Sequence, residues 1–203
     1  MKMSESKDAK VKESILNAAF CEFCEKKYDN VSILSITERA QVTRSSFYYY
    51  FKDKNQIYKT IIERLKHDIF SALDKQRVYD IPELLWAVTE KLLSYKGTDT
   101  EKLIINIFEN MRSNETAFFD IMSHVKQGAF CNGNLSDSTG IKIKDYRLLG
   151  DQKFVGTYFK GMCFMLVVRT VLDCFTGRVE KSGAKKAFEE CANCLKRGFI
   201  APQ

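Results

Sequence analysis

The stretch Ala40-Gln41-Val42-Thr43-Arg44-Ser45-Ser46-Phe47-Tyr48-Tyr49-Tyr50-Phe51-Lys52-Asp53-Lys54 decides how this chain is read. Thr43 carries the short hydroxyl side chain that caps a helix N-terminus. Phe47 and Phe51 stand four apart and so share one face of the helix that follows. Three consecutive tyrosines cannot all turn to the same core. The helix therefore shows Arg44, Ser45, Ser46, Tyr48 and Tyr49 outward while Phe47 and Phe51 face inward, with Tyr50 beside the inward pair.

Working outward, Ser32 is an N-cap for a short helix whose Ile33, Ile36 and Ala40 lie on one side. Before it, Val11, Ile15, Ala18, Ala19 and Phe23 recur at steps of three and four, which predicts a helix over Asp8 to Lys27. After it, Asp53 followed by Gln56 has the spacing of a capping box. Ile57, Ile61, Leu65, Ile69 and Leu73 then repeat every four residues, predicting one long helix to about Val78. Two short helices joined by a tight turn behind a supporting helix is the helix-turn-helix plan. Its second helix offers side chains suited to DNA. Arginine forks onto guanine edges, serine reaches bases or phosphates, and tyrosine donates to phosphate or lays its ring against a thymine methyl. Lys54, at the start of the next helix, suits a backbone phosphate.

Composition narrows the classes further. The chain has 203 residues, 45% hydrophobic and 29% charged, enough to bury a core and too apolar for disorder. It has two prolines and ten glycines, the first of which is Gly97. A glycine-free first half excludes a run of tight β-hairpins and leaves no room there for a glycine-rich phosphate loop. The polar N-terminus lacks a secretory core, and Lys160, Arg169 and Asp173 interrupt the most apolar stretch, Phe154 to Phe175. A cytoplasmic protein without a membrane partner is the expectation. Net charge is +6, and between Arg39 and Lys59 five bases (Arg39, Arg44, Lys52, Lys54, Lys59) face one acid, Asp53, a balance suited to a polyanion.

Residues 8–60 resemble the N-terminal DNA-binding domain of the TetR (tetracycline repressor) family of bacterial transcription regulators. The resemblance rests on Ile15-Leu16-Asn17-Ala18-Ala19, on Val31-Ser32-Ile33, on Ile36 before Ala40-Gln41-Val42-Thr43, and above all on Phe47-Tyr48-Tyr49-Tyr50-Phe51-Lys52-Asp53-Lys54. Three positions depart from the family pattern. Gln41 stands where glycine is usual, Thr37 replaces an alanine, and Leu34 sits where a basic residue is frequent. Gln41 is thus expected in a left-handed conformation. By resemblance, the DNA-contacting residues are Ser32, Arg44, Ser45, Ser46, Tyr48, Tyr49, Tyr50 and Lys54.

The resemblance implies an all-α protein. A helix-turn-helix domain over residues 1–60 would precede a helical ligand-binding and dimerisation domain over 61–203. Periodicity predicts helices at 82–96, 100–112, 115–129, 151–175 and 182–199, and a loop at 131–140. Phe108, Met111, Phe119, Met122, Tyr158 and Met162 are the soft and aromatic candidates for a ligand pocket. Phe159, Phe164, Val167, Phe188, Cys191 and Leu195 are the candidates for a two-fold helical interface.

The function expected is a sequence-specific, homodimeric repressor of double-stranded operator DNA, released by a small-molecule effector. The alternatives are a helical adaptor and a regulator without ligand response. An enzyme is disfavoured, because His67 and His124 are the only histidines and no nucleophile–base pattern is readable. No cofactor and no metal are expected. Cys21/Cys24 and Cys191/Cys194 have two-residue spacing but fall inside amphipathic helices, so the cysteines are expected as buried small hydrophobes.

Overall fold

The computed structural model describes residues 2–113, 141–144, 146–149 and 152–202. The fold is all-α, with two short strand pairs. The chain divides into two compact units, Met1–Lys66 with Gly97–Asn110, and His67–Lys96 with Met111–Gln203. The first unit thus runs past residue 60 and includes a later segment.

In the first unit, α1 (Lys2–Glu25) leads through a 3-10 turn at Tyr28–Asn30 to α2 (Ile33–Ala40), α3 (Arg44–Tyr50) and α4 (Lys54–Ser71). α6 (Asp99–Ser113) joins them as far as Asn110. Ile15, Leu16, Ala19 and Phe23 from α1 are buried in this unit with Ile36, Phe47, Phe51, Ile57, Leu103 and Ile104. A helix of seven residues is too short to persist alone, so α3 depends on Phe47, fully buried, and on Phe51 at its end. Asn106 ties α6 to the end of α1, its amide donating to the carbonyls of Phe23 at 2.9 Å and Cys24 at 3.2 Å. Those carbonyls are among the last four of α1, which have no intrahelical donor.

The second unit contains β1 (Val78–Tyr79), α5 (Ile81–Leu93), β2 (Lys142–Ile143), β3 (Tyr146–Leu148), α7 (Gln152–Phe175), α8 (Lys181–Phe199) and β4 (Ile200–Pro202). β1 pairs in parallel with β2, and β3 antiparallel with β4. Leu73, Tyr79, Leu84, Ile141 and Ile143 form a buried cluster at the first pair. Pro82 sits in the first turn of α5, where a missing N–H costs nothing. Asp80 and Glu83 close a capping box there, and Lys196 of α8 reaches Asp80 at 2.7 Å. Trp86 of α5 meets Phe188 of α8 edge-on at 5.4 Å, and Phe159 of α7 lies 5.6 Å from Phe199.

Three expectations need correction. The helix from Lys54 stops at Ser71, well short of Val78. Asp74 turns the chain there, its carboxylate accepting from the Gln76 N–H at 2.8 Å while the Tyr79 hydroxyl accepts from the Asp74 N–H at 3.0 Å. The buried stripe of α8 is Ala184, Phe188 and Ala192, whereas Cys191 is exposed. Cys191 and Cys194 are therefore not buried hydrophobes. The predicted helix at 115–129 and loop at 131–140 lie outside the described residues.

Candidate nucleic-acid interface

The turn between α2 and α3 aims the site. α2 starts at Ser32, whose hydroxyl accepts from the Ser35 N–H at 3.0 Å while the Ser35 hydroxyl accepts from the Ser32 N–H at 3.3 Å. Thr37, buried, donates its hydroxyl to the Leu34 carbonyl at 2.9 Å, leaving Leu34 itself exposed. α2 ends on Gln41 at φ 55° and ψ 44°, the left-handed region. The Val42 N–H then reaches the Thr37 carbonyl at 3.0 Å and the Gln41 N–H reaches Glu38 at 3.2 Å. That is a Schellman closure with glutamine in the place glycine fills most easily. α3 begins two residues later on Thr43, whose hydroxyl accepts from the Ser46 N–H at 3.1 Å.

With Phe47 anchored, α3 turns Arg44, Ser45, Tyr48 and Tyr49 to solvent, the two tyrosines 56% and 76% exposed. Exposed aromatic side chains of this size are uncommon on a closed surface. Arg44 has no ion pair among the described residues. Ser46 is half-buried, its hydroxyl 2.9 Å from that of Thr43. Tyr50 turns toward α1 and donates to Asp8 at 3.4 Å; burial, then the Asp8 charge, pushes its phenol up. Ser32 is exposed at the start of α2.

Lys54, expected at a phosphate, is engaged within the unit. Its ammonium donates to the Tyr28 and Val31 carbonyls at 2.8 and 2.9 Å and lies 4.3 Å from the Tyr28 ring centroid. Burial holds this ammonium below the usual lysine range, with Asp29 opposing. Lys54 therefore fastens the 28–31 segment to the head of α4, and one of its three N–H groups remains.

Arg39 is also committed. Its Nε donates to Glu22 at 2.8 Å and its terminal nitrogens to Glu25 of α1. Burial raises the Glu22 carboxyl, but the Lys26 and Ser35 hydrogen bonds and the Lys26 and Arg39 charges leave it below its usual value. The five-to-one excess of bases thus overstates the charge on offer, since Arg39 and Lys54 are spent inside the unit. Sequence reasoning also passed over a shallow groove at the start of α4, lined by Lys52 and Lys59 with Asn55, Gln56 and Thr60 and by the carboxylates Asp53 and Glu63. The spacing of three and four among these residues was the available signal.

The expected ligand-pocket residues are drawn from both units. Phe108 is buried in the first unit, whereas Tyr158 and Met162 are exposed on α7 of the second. Phe119, Met122 and the Met111 side chain lie outside the described residues. Of the interface candidates, Phe159, Val167 and Phe188 are buried within the second unit, and Cys191 is exposed. Phe164 and Leu195 are half-buried. The outward apolar stripe of α7 is instead Tyr158, Met162 and Met165, at steps of four and three. Elsewhere in this unit Trp86, the chain's one tryptophan, lines a groove with Glu90, Lys181, Ser182 and Lys185. Its buried indole N–H has no acceptor among the described residues.

A capped short helix held by Phe47 with its polar and aromatic face open is the helix-turn-helix arrangement that DNA-binding domains use. Residues 15–61 match the family model described as bacterial regulatory proteins, tetR family. The likeness to solved structures described as TetR-family regulators spans nearly the whole chain and shows a shared fold. A TetR-like transcriptional regulator from Rhodococcus sp. RHA1 is 16% identical, with 93% of this chain and 96% of that one covered and a TM-score of 0.58. NalD, the secondary repressor of the MexAB-OprM multidrug efflux pump in Pseudomonas aeruginosa, is 17% identical over 96% and 99%, with a TM-score of 0.57. SmeT, the repressor of the Stenotrophomonas maltophilia multidrug efflux pump SmeDEF, is 18% identical over 94% and 90%, at 0.56. No curated protein matches the chain in sequence. No helix among the described residues is long and apolar enough to cross a membrane.

Proposed function

We infer that this chain is a homodimeric repressor that sets α3 into the major groove of operator DNA and lets go when a small molecule binds its second unit. The observation that carries the DNA reading is the open face of α3 over a fully buried Phe47. In this reading Arg44, Ser45, Tyr48 and Tyr49 contact base edges and phosphates. Ser32, Ser46, Tyr50 and the remaining N–H of Lys54 serve the backbone from the rim. Two copies would address half-sites about 34–36 Å apart, one helical turn.

The dimer reading is supported by Met162 and Met165, two large apolar side chains exposed on α7. The repressor reading is supported by the whole-length fold shared with SmeT and NalD, both described as repressors of multidrug efflux pumps. The effector reading is supported by the groove at Trp86, where a buried donor lacks an acceptor among the described residues.

Selection of bound duplexes from a random DNA pool tests the first part, and sedimentation of the free protein tests the second. Titration of small molecules against Trp86 fluorescence and against the selected duplex tests the third. Failure to enrich any duplex would remove the DNA reading. A monomer at micromolar concentration would remove the dimer.

A further inference from the structure

The composition of α3 restricts which bases it can specify. Each base presents its own edge in the major groove, and each edge suits particular side chains. Adenine suits an asparagine or glutamine amide, cytosine a carboxylate and guanine an arginine fork, whereas the methyl group of thymine suits an apolar surface. α3 is Arg44-Ser45-Ser46-Phe47-Tyr48-Tyr49-Tyr50 and holds no amide or carboxylate side chain. Arg44 is its one guanidinium. Of its two serines, Ser46 is half-buried, with its hydroxyl 2.9 Å from that of Thr43. A phenol hydroxyl is a single group and cannot fork onto a base edge as an amide or guanidinium does. Beyond Arg44 and the Ser45 hydroxyl, what α3 offers outward is aromatic ring.

Those rings are held in place before any DNA arrives. Successive residues turn by about 100° around a helix, so Ser45 and Tyr49 stand nearly opposite the buried Phe47, with Tyr48 to one side. The Tyr49 ring meets the Tyr50 ring edge-on with centroids 4.8 Å apart, and the Tyr50 hydroxyl is tied to Asp8 of α1. The Tyr48 ring meets Phe47 edge-on at 5.6 Å. Each ring thus has an aromatic neighbour, yet Tyr48 and Tyr49 stay 56% and 76% exposed. A side chain ordered in advance loses less freedom on contact.

We propose that Tyr49, flanked by Tyr48, reads thymine by laying its ring against the base's methyl group. Half-site specificity then comes from thymine methyls beside a guanine at Arg44. This rests on the operator reading above and goes beyond it by naming the bases.

The test starts from the duplex that wild-type protein selects. Each half-site thymine is replaced in turn by deoxyuridine, which removes the methyl group and leaves base pairing intact. Binding is compared at one fixed salt concentration. At a contacted position, loss of the methyl should weaken wild-type binding about fourfold, as for one buried CH2-sized group. Tyr49→Ala should bind the thymine and uracil forms alike at that position, whereas Tyr49→Phe, which keeps the ring, should keep the preference. Circular dichroism checks that each variant keeps its helices. A pool that yields no duplex would remove the operator reading and this inference with it. Three results would overturn this inference alone: selected half-sites without thymine, equal wild-type binding of the thymine and uracil forms, or an undiminished thymine preference in a Tyr48→Ala/Tyr49→Ala variant.

Discussion

Replacing Lys54 by alanine removes three things at once: two hydrogen bonds of 2.8 and 2.9 Å to the Tyr28 and Val31 carbonyls, and the cation 4.3 Å from the Tyr28 ring. Hydrogen bonds to a charged group contribute about 1.5–3 kcal/mol each. Both carbonyls are only part-buried, so water recovers much of this, and a combined loss of about 2 kcal/mol is the reasonable figure. The cation–π contact adds about 0.5–1 kcal/mol. Lys54→Ala should therefore lower stability by about 2–3 kcal/mol, a large share of a typical 5–15 kcal/mol domain. The assay is urea denaturation followed by helical circular dichroism, with Lys52→Ala as the comparison. Lys52 is exposed and has no ion pair among the described residues, so its loss should stay within about 0.5 kcal/mol. Equal midpoints for Lys54→Ala and wild type would refute the fastening role and return Lys54 to the surface.

Gln41→Gly should stabilise the protein by about 0.5–1 kcal/mol. Relief of the left-handed backbone, about 1–2 kcal/mol, exceeds the extra entropy glycine gives the unfolded chain; a lowered melting temperature would contradict this. Acid should destabilise the first unit. Hydrogen bonds from Arg64 to Glu13 and from Arg39 to Glu25 hold those carboxyls below their ordinary 4.5. Their stabilisation is then complete above that value and is lost as pH falls through the lowered folded values. Urea midpoints at pH 7 and 5 should accordingly exceed that at pH 3, and a midpoint that rises on acidification would reverse the sign. On α7, Met162→Lys with Met165→Lys should leave the chain folded but monomeric by sedimentation; an intact dimer would move the interface elsewhere.

The first unit was legible in sequence because its boundaries are written in side chains. Ser32, Thr43 and Asp53 each carry an oxygen that accepts a backbone N–H three residues on, and the helices start where these residues predict. Phe47 and Phe51 fix which way α3 faces, and so which tyrosines are free. The left-handed Gln41 was implied by the family resemblance, which places glycine at that turn. The roles of Lys54 and Arg39 were not legible, since a backbone carbonyl leaves no mark in the sequence and Glu22 and Glu25 are distant along it. Both lysine and arginine read as surface charge until their partners are seen.

The second unit was harder for physical reasons. α7 is apolar on several sides, so periodicity could not separate its core face from its open one, and the two were exchanged at Tyr158 and Phe159. On α8 one residue of phase separates Cys191 from the buried Ala192. Two-residue strands have no period to detect, and β1 finds its partner in β2 far along the chain. The apolar repeat through Leu73 looked like more helix; the Asp74 turn ended it.

The central claim is that the open face of α3 reads DNA. Its most direct test is the affinity of an Arg44→Ala/Tyr48→Ala double variant for the duplex that wild-type protein selects, at one fixed salt concentration. A good base contact contributes about 1–3 kcal/mol, so loss of two should weaken binding by on the order of a hundredfold or more. Arg44 is exposed and Tyr48 touches the core only by its edge-on contact with Phe47 at 5.6 Å, so the melting temperature should fall only slightly. Wild-type affinity in a folded double variant would contradict the account.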